Sequence, residues 1–458
     1  MIGLRRSLLC ASALLFLIGP ATKTAAQEVA LAPANGAAID RAVSPYVSSG
    51  DFMGVVAVQR DGKDPLILPY GLASVELGVP HSADSVFMIG SVSKQFTAVA
   101  ILLMEQEGKL KVSDLVSAHL VDFKPDVPMT IEHLLVHTSG VADVYSLERF
   151  GESAGQVGSF AEVVRDLGHM DLTHPPGTSY AYSNGGYTIL AAIIEHVSGV
   201  AYGDFLADRL FAPLGMASTF HDRPGPFVKN RVGGYDPWGR NALTAVPPVS
   251  AGYTTGSGSL WSTAADLLVW TEALHSGRLL TESSYAKFIG DHGNGYGYGV
   301  SAFRRFRRDV IGHDGRVAGY ASDVARYVED RMTVVVLSNV QSVARDEIRH
   351  SVAATLLDEP LETPAKRVFV DQPTEPIDGL LGVYSFGPGF EVSISESAGR
   401  LLARANQGGF SELVPTSGGG WFSRMLYTPV RFGKDEAGLV DRLIWGRGDR
   451  APVGRRIR

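Results

Sequence analysis

The sequence contains a single cysteine, Cys10, which lies in the apolar segment at the start of the chain. A mature chain that has lost this segment has no thiol and forms no disulfide. Cysteine-ligated metal sites and cysteine nucleophiles are therefore excluded from it. Any chemistry that the remaining residues perform must use oxygen or nitrogen groups.

Long apolar runs are also missing, because no run reaches the roughly 20 residues that a membrane-spanning helix needs. The apolar run at residues 7–18 follows Arg5 and Arg6 and precedes the small residues at 24–26. This arrangement is typical of a secretory signal peptide. We assign residues 1–26 to a signal peptide and expect an exported protein, periplasmic or secreted, with no membrane span.

Positive charge is scarce. Without residues 1–26 the chain carries 38 basic and 48 acidic residues. Binding to nucleic acid needs a basic face, so we expect no nucleic-acid partner. The composition is 45% hydrophobic and 19% charged, which excludes a disordered chain and a coiled coil.

Strand and helix patterns divide the chain into two parts. Runs at 54–60 and 66–71 predict a hairpin, and three further strands are predicted between 310 and 338. Helical patterns lie between these strands, which indicates an α+β fold whose antiparallel sheet collects distant parts of the chain. The segment 217–258 has little periodicity, and we expect a loop that lines or covers a site.

The end of the chain has a different pattern. Residues 358–378 hold four prolines and charges of both signs, which predicts a linker. From 379 to 458, short period-2 runs alternate with Gly, Ser and Asp. This pattern predicts a small antiparallel β domain, either a meander or a barrel.

The first candidate for chemistry is Ser91-Val92-Ser93-Lys94, at the start of a predicted helix. Residues i and i+3 share a helix face, so Ser91 and Lys94 can lie in one pocket. A serine needs an adjacent base to become a nucleophile, and lysine can be that base only if its pKa, about 10.4 when unperturbed, is lowered. Alone, the pattern is more often a capping serine and a solvated lysine.

Two further motifs accompany it. Tyr182-Ser183-Asn184 follows a Pro-Pro-Gly loop and precedes a helix, and His313-Asp314-Gly315 lies at the end of a strand. Each is weak alone, because a Y-x-N loop is usually turn chemistry and such a histidine is usually structural.

In this order and spacing, the motifs resemble those of serine hydrolases related to class C β-lactamases and penicillin-binding proteins. The resemblance also includes residues 87–94 (FMIGSVSK), 134–140 (LLVHTSG), 176–187 (PGTSYAYSNGGY) and 258–267 (GSLWSTAADL). It implies a β-lactamase/transpeptidase-like antiparallel sheet flanked by helices, with a helical subdomain, over residues 27–357. Residues 379–458 resemble a lipocalin-like module.

The resemblance also implies roles for the motif residues. Ser91 would be the acylated nucleophile, and Lys94 and Tyr182 would share proton transfer, with the base left open between them. Asn184 would orient the substrate amide and Lys94.

The strand motif would bind substrate. His313 and Gly315 would contact it, and the backbone N–H groups of Ser91 and Arg316 would form an oxyanion hole. Related β-lactamases carry a lysine where this chain has His313. Histidine is mostly neutral at pH 7, which disfavours substrates that present a carboxylate.

Other patterns carry less chemistry. The arginines between 304 and 308 are more often a solvated hairpin end than a substrate cation. His133 and His137 have metal-ligand spacing but lack the acidic residue of an H-E-x-x-H site, so we expect no metal and no cofactor.

The sequence therefore predicts a hydrolase that cleaves an amide or ester through an acyl-enzyme. The expected substrate is a small molecule or a short peptide, and the cell wall is one candidate source. D-amino-acid peptides or simple esters rank above β-lactams. The alternatives are a true class C-type β-lactamase and a non-catalytic sensor of peptidoglycan fragments or β-lactams. The oligomeric state is left open.

Overall fold

The computed structural model describes residues 33–124, 126–147, 159–222, 227–240, 242–361, 368–371, 373, 376–387, 389–406 and 409–458. The predicted signal peptide, residues 1–26, lies outside the described residues. So does part of the predicted linker, residues 358–378.

Antiparallel strands organise the larger part of the chain. Before residue 340 they are β1 (Gly54–Arg60), β2 (Leu66–Tyr70), β3 (Leu72–Ser74), β4 (Val79–Pro80), β5 (Phe87–Met88), β6 (Phe220–His221), β7 (Gly234–Trp238), β8 (Ala242–Val246), β9 (Leu260–Ser262), β10 (Ser301–Arg305), β11 (Arg308–Val317), β12 (Tyr320–Tyr327) and β13 (Met332–Ser338). Six of them form the central sheet, in the order β10–β11–β12–β13–β1–β2. Strand β1 pairs with β13 from Gly54 opposite Ser338 to Arg60 opposite Met332, so the two ends of the domain meet in one sheet.

Some helices cover this sheet and others pack against one another. They are α1 (Pro33–Ser48), α2 (Ser93–Gln106), α3 (Val116–His119), α4 (Ile131–Leu135), α5 (Phe160–His169), α6 (Asn184–Ser198), α7 (Tyr202–Leu206), α8 (Ala212–Leu214), α9 (Ala251–Thr254), α10 (Ala264–His275), α11 (Glu282–Ile289) and α12 (Ala344–Leu356). Within the described ranges, no single helix is long and apolar enough to cross a membrane. One pair, Asn184–Ser198 with Tyr202–Leu214, passes that test only together and is bent by 78°.

The sheet is buried on both faces, because alternate residues of its inner strands enter different cores. Val55 and Ala57 of β1 face the core that contains α2 and α6, whereas Val56 and Val58 face the core that contains α1 and α12. A fully buried valine contributes about 1.5–3 kcal/mol to stability. This two-sided burial fixes the register of the strand, since a slip by one residue would exchange the two faces.

The C-terminal part is a closed antiparallel barrel of eight strands. They are β14 (Gly382–Gly387), β15 (Phe390–Ser397), β16 (Arg400–Ala405), β17 (Phe410–Pro415), β18 (Trp421–Ser423), β19 (Thr428–Lys434), β20 (Val440–Trp445) and β21 (Val453–Arg456). Strand β21 pairs back with β14, so the barrel has no free edge. The barrel also supplies Phe422 and Tyr427 to the core that contains α1 and α12.

One buried arginine joins the barrel to the rest of the molecule. Arg424, which is 2% exposed, donates from Nε to Oδ1 of Asp51 at 2.7 Å, and Asp51 is 1% exposed. Its other nitrogens donate to the carbonyl oxygens of Gly50, Gly239 and Ala242. The side chain therefore binds the segment before β1 and the β7–β8 hairpin at once.

The predicted α+β class and the C-terminal β module are confirmed. The segment 217–258 is more regular than expected, because it contains the β7–β8 hairpin. This hairpin is held by distant partners, since the Tyr235 N–H donates to the carbonyl oxygens of Gly319 and Asn339. Tertiary contacts of this kind leave no periodic pattern in the sequence.

Candidate active site

Ser91 lies in a 3₁₀ turn, Gly90–Val92, that leads directly into helix α2. Gly90 has a φ of +51°, and a Cβ there would lie 2.9 Å from the backbone nitrogen of Arg316. Glycine at this position lets the turn pack tightly against strand β11. Ser91 is half-buried, whereas the residues that follow it in α2 are buried.

Lys94 lies beneath Ser91 and is 0% exposed. Its Nζ donates to Oγ of Ser91 at 3.0 Å, to Oδ1 of Asn184 at 2.8 Å and to the carbonyl oxygen of Ser257 at 2.8 Å. All three acceptors are neutral, and burial lowers the pKa of Lys94 to about 7. A substantial fraction of the amine is therefore unprotonated at neutral pH.

Tyr182 lies on the open side of this pair and is 38% exposed. Its phenol shares a hydrogen bond with Ser91, and Nζ of Lys94 lies 4.9 Å from the centroid of its ring. The surrounding protein raises the pKa of Tyr182 well above 10, chiefly through desolvation. The phenol therefore keeps its proton at neutral pH.

Asn184 is the first residue of helix α6. Ser183 caps the helix, since its Oγ accepts from the Gly186 N–H at 3.0 Å. A Cβ on Gly185 would lie 2.1 Å from the carbonyl oxygen of Ala142, so the start of the helix packs directly against the chain at 142–143. This contact places the Asn184 amide between that segment and Lys94.

Strand β11 closes the other side of the site. A Cβ on Gly315 would lie 2.2 Å from the carbonyl oxygen of Ile89, and Oγ of Ser322 donates to the same oxygen at 2.7 Å. The backbone of Gly315 and Arg316 is thus held against the Ser91 turn. This close approach is the arrangement that two adjacent backbone N–H donors require.

His313 is 6% exposed. Its Nε2 hydrogen-bonds the Tyr296 hydroxyl at 2.9 Å, and its Nδ1 lies against the carbonyl oxygen of Asp314. Burial lowers the pKa of His313 to about 4, so the ring is neutral at pH 7. The ring of His313 lies 6.4 Å from that of Tyr182, centroid to centroid, beside the group around Ser91.

The structure brings Ser91, Lys94, Tyr182 and Asn184 into one connected group and places His313, Gly315 and Arg316 at its edge. Two residues outside the predicted catalytic and substrate-binding set also contribute. Tyr296 reaches His313 from the glycine-rich loop before β10, and Asp143 accepts from Asn184 through Oδ2. Asp143 comes six residues after His137 of the quoted LLVHTSG segment, and only its position near that motif signalled a role.

The arginine run lies apart from this group. Arg304 pairs with Asp309, and Arg308 with Asp330 and Glu359, at the β10–β11 hairpin. Across the described residues, no group of three His, Cys, Asp or Glu side chains is arranged to hold a metal ion.

His133 and His137 have separate structural contacts. His133 belongs to the capping box of α4. Nδ1 of His137 accepts from the Ser183 N–H at 3.1 Å, and its ring lies 4.2 Å from that of Tyr182, centroid to centroid.

A family model described as Beta-lactamase matches residues 39–358. The chain belongs to this family. It is a serine hydrolase of the group that includes the penicillin-binding proteins, as the motifs indicated.

Relatives of known sequence support the assignment. Penicillin-binding protein 4* of Bacillus subtilis is 28% identical over 416 residues, which cover 84% of this chain and 91% of the relative. Teichoic acid D-alanine hydrolase of Staphylococcus aureus is 25% identical over 314 residues, which cover 67% of this chain and 75% of that protein.

Solved structures share the fold of this member of the Beta-lactamase family. The D-amino acid amidase of Ochrobactrum anthropi superposes with a TM-score of 0.64 at 23% identity, covering 71% of this chain and 99% of that chain. The octameric penicillin-binding protein homologue of Pyrococcus abyssi superposes with a TM-score of 0.63 at 21% identity, covering 92% and 99%. The second alignment extends over most of the chain.

Proposed function

We propose that this protein is an exported hydrolase that cleaves amides or esters of D-amino acids through an acyl-enzyme on Ser91. The observation that carries the proposal is the buried Lys94 amine, 3.0 Å from Oγ of Ser91 and held by two other neutral acceptors. Export is inferred from residues 1–26, and the substrate is a small molecule or a short peptide.

Acylation begins with the transfer of the Ser91 hydroxyl proton to the neutral Nζ of Lys94. Oγ then forms a bond to the substrate carbonyl carbon, and the carbonyl π electrons move to its oxygen. The lowered pKa of Lys94 favours it as the base, because Tyr182 keeps its proton.

Collapse of the tetrahedral intermediate breaks the bond to the leaving group. We assign to Tyr182 the transfer of its phenolic proton to the departing amine or alkoxide. Lys94 then gives the phenolate the proton that it took from Ser91. The backbone N–H groups of Ser91 and Arg316 stabilise the oxyanion, and such a donor is typically worth about 3–4 kcal/mol. Water then attacks the ester carbonyl through the same groups, which releases the acid and restores Ser91.

The neutral His313 is the basis for the substrate class. A buried, uncharged ring offers no cation to a substrate carboxylate, which ranks neutral esters and amides above β-lactams. The names of the D-amino acid amidase and of the teichoic acid D-alanine hydrolase agree with a D-amino-acid acyl group.

The test combines labelling and turnover. Intact-protein mass spectrometry after incubation with a fluorophosphonate, and separately with a penicillin, is expected to show an adduct that maps to Ser91 and is missing in Ser91→Ala. In turnover assays, D-alanyl p-nitroanilide and p-nitrophenyl acetate are expected to be cleaved faster than L-alanyl p-nitroanilide and a chromogenic cephalosporin.

The two alternatives give different results. A cephalosporin cleaved well above the other substrates would identify a true β-lactamase and overturn our ranking. Folded protein that forms no adduct with either reagent would identify a non-catalytic sensor.

A further inference from the structure

Asp143 has an unusual set of hydrogen bonds beside the proposed active site. Its Oδ2 accepts from the backbone N–H of Asn184 at 2.9 Å and from the side-chain Nδ2 of the same residue at 2.9 Å. Its Oδ1 accepts from the Tyr145 N–H at 3.0 Å. One carboxylate therefore holds both the main chain and the side chain of Asn184.

These contacts decide which way the Asn184 amide points. With Nδ2 facing Asp143, Oδ1 faces Lys94, from which it accepts at 2.8 Å. The flipped amide would place its oxygen against a carboxylate and its NH₂ group against the lysine nitrogen. In the flipped form two acceptors, the amide oxygen and the Asp143 carboxylate, would face each other without a hydrogen to share, so Asp143 selects the observed form.

The direction of this amide matters for a neutral lysine. A neutral amine has two hydrogens and one lone pair, and Lys94 has three neighbours at Nζ. If Asn184 Oδ1 and the Ser257 carbonyl take the two hydrogens, the lone pair is left for the Ser91 hydroxyl. A flipped Asn184 would donate to that lone pair and compete with Ser91.

We propose that Asp143 is a positioning residue that, by fixing the Asn184 amide, directs the lone pair of Lys94 toward the Ser91 hydroxyl. The inference rests on the proposed function, in which Lys94 is the base. Asp143 acts through Asn184 and has no assigned contact with substrate.

The charge of Asp143 has a second effect on the same amine. Asp143 and Asp314 raise the pKa of Lys94, against the larger lowering by burial. Two histidines also face the amine: burial lowers the pKa of His313 to about 4 and that of His137 well below its usual value, so both are neutral at pH 7. Loss of the Asp143 charge would therefore make Lys94 easier to deprotonate.

Two substitutions separate these effects. Asp143→Asn removes the charge but keeps an oxygen that can accept from Asn184, whereas Asp143→Ala removes both. We expect kcat for p-nitrophenyl acetate to fall about 10-fold in Asp143→Asn and about 100-fold in Asp143→Ala, since a misplacement of about 1 Å can cost about 100-fold. KM is expected to change little, and the acid limb of the pH profile is expected to move to lower pH in both.

The matched control is Asp435→Asn. Asp435 accepts from the Ala437 and Leu439 N–H groups in a turn of the barrel, so its substitution removes a similar carboxylate far along the chain from Lys94. Its pH profile and kcat are expected to equal those of the unmodified protein. The rate of Ser91 labelling by a fluorophosphonate, measured on all four proteins, should follow the order of kcat.

Two results would overturn the inference. In the first, the acid limb of the pH profile stays in place in both Asp143 variants, and their losses of kcat only follow their melting temperatures. In the second, Asp143→Ala keeps full kcat. A failure of the proposed function is distinguishable, because Ser91→Ala would then retain activity or the unmodified protein would show no adduct.

Discussion

Lys94 and Arg424 are both removed from water, but their partners are of different kinds. Lys94 is 0% exposed and touches a hydroxyl, an amide oxygen and a carbonyl oxygen. Arg424 is 2% exposed and forms an ion pair with Asp51 in addition to three hydrogen bonds to carbonyl oxygens. Among the described residues, no carboxylate forms an ion pair with Lys94, whereas Asp51 forms one with Arg424.

This difference determines what each cation can do. A buried lysine without a contacting carboxylate loses its proton readily, which suits a base. An arginine keeps its charge in proteins, so its burial requires an anion and produces a fixed junction. Burial therefore suits Lys94 to proton transfer. It makes Arg424 a fixed link between the barrel and the rest of the molecule.

The largest effect is expected from Lys94→Met. Removing the proposed base should lower kcat/KM for p-nitrophenyl acetate by up to about 10⁴-fold, because a general base contributes typically 10²–10⁴-fold. Stability should hold or rise, since a poorly compensated buried amine is lost. Ester hydrolysis and thermal unfolding, measured on the same sample, check the expected activity and the expected stability. A large loss of stability would show that Lys94, like Arg424, is needed to hold the fold together.

Arg424→Met should have the opposite effect, which is a large loss of stability. It leaves the carboxylate of Asp51 buried without its partner, and breaking a buried pair in this way costs about 3–5 kcal/mol. Urea unfolding of the full chain measures this, with Arg404→Met on the barrel as the control. The double variant Asp51→Leu/Arg424→Met should recover much of the loss, and an equally unstable double variant would contradict the ion-pair argument.

The pH dependence of activity sharpens the comparison. Lys94 must be unprotonated to act and its pKa is about 7, so kcat/KM should rise through pH 7 and level off above it. Below pH 7 the expected slope is about tenfold per pH unit. The profile of Arg424→Met, measured where it is folded, should have the same midpoint. An acid limb near pH 10 would instead indicate a lysine with its ordinary pKa.

The smallest effect is expected at His313. His313→Lys adds a cation at the edge of the site and should raise activity on carboxylate-bearing substrates, such as a penicillin, relative to p-nitrophenyl acetate. His313→Gln, the neutral control, should change either rate by less than about tenfold, the scale of one neutral hydrogen bond. Equal rate ratios in the two variants would show that charge at this position does not set the preference.

The motifs around Ser91 can be found in the sequence because each motif is local. Ser91 and Lys94 share a helix face through their spacing alone, and Tyr182 and Asn184 lie together at the start of another helix. The order of these motifs along the chain then predicted that they meet.

Asp143 and Arg424 were beyond such reasoning. Asp143 approaches Asn184 only because Gly185 packs against Ala142, and Arg424 meets Asp51 across 373 residues. No local period records contacts of this kind. The period-2 runs after residue 379 likewise predicted strands, but closure depends on β21 returning to β14.

The distance between Asp51 and Arg424 along the chain has a consequence during synthesis. At about 5–20 residues per second, the ribosome adds Arg424 roughly 20–75 s after Asp51. During that interval the Asp51 carboxylate lacks the guanidinium that it binds in the folded chain, and within its own segment it has the Ser49 hydroxyl as a donor. Docking of the barrel supplies the guanidinium and ties the β7–β8 hairpin to the segment before β1. The part of the chain that is made last therefore completes the contacts of the part that is made first.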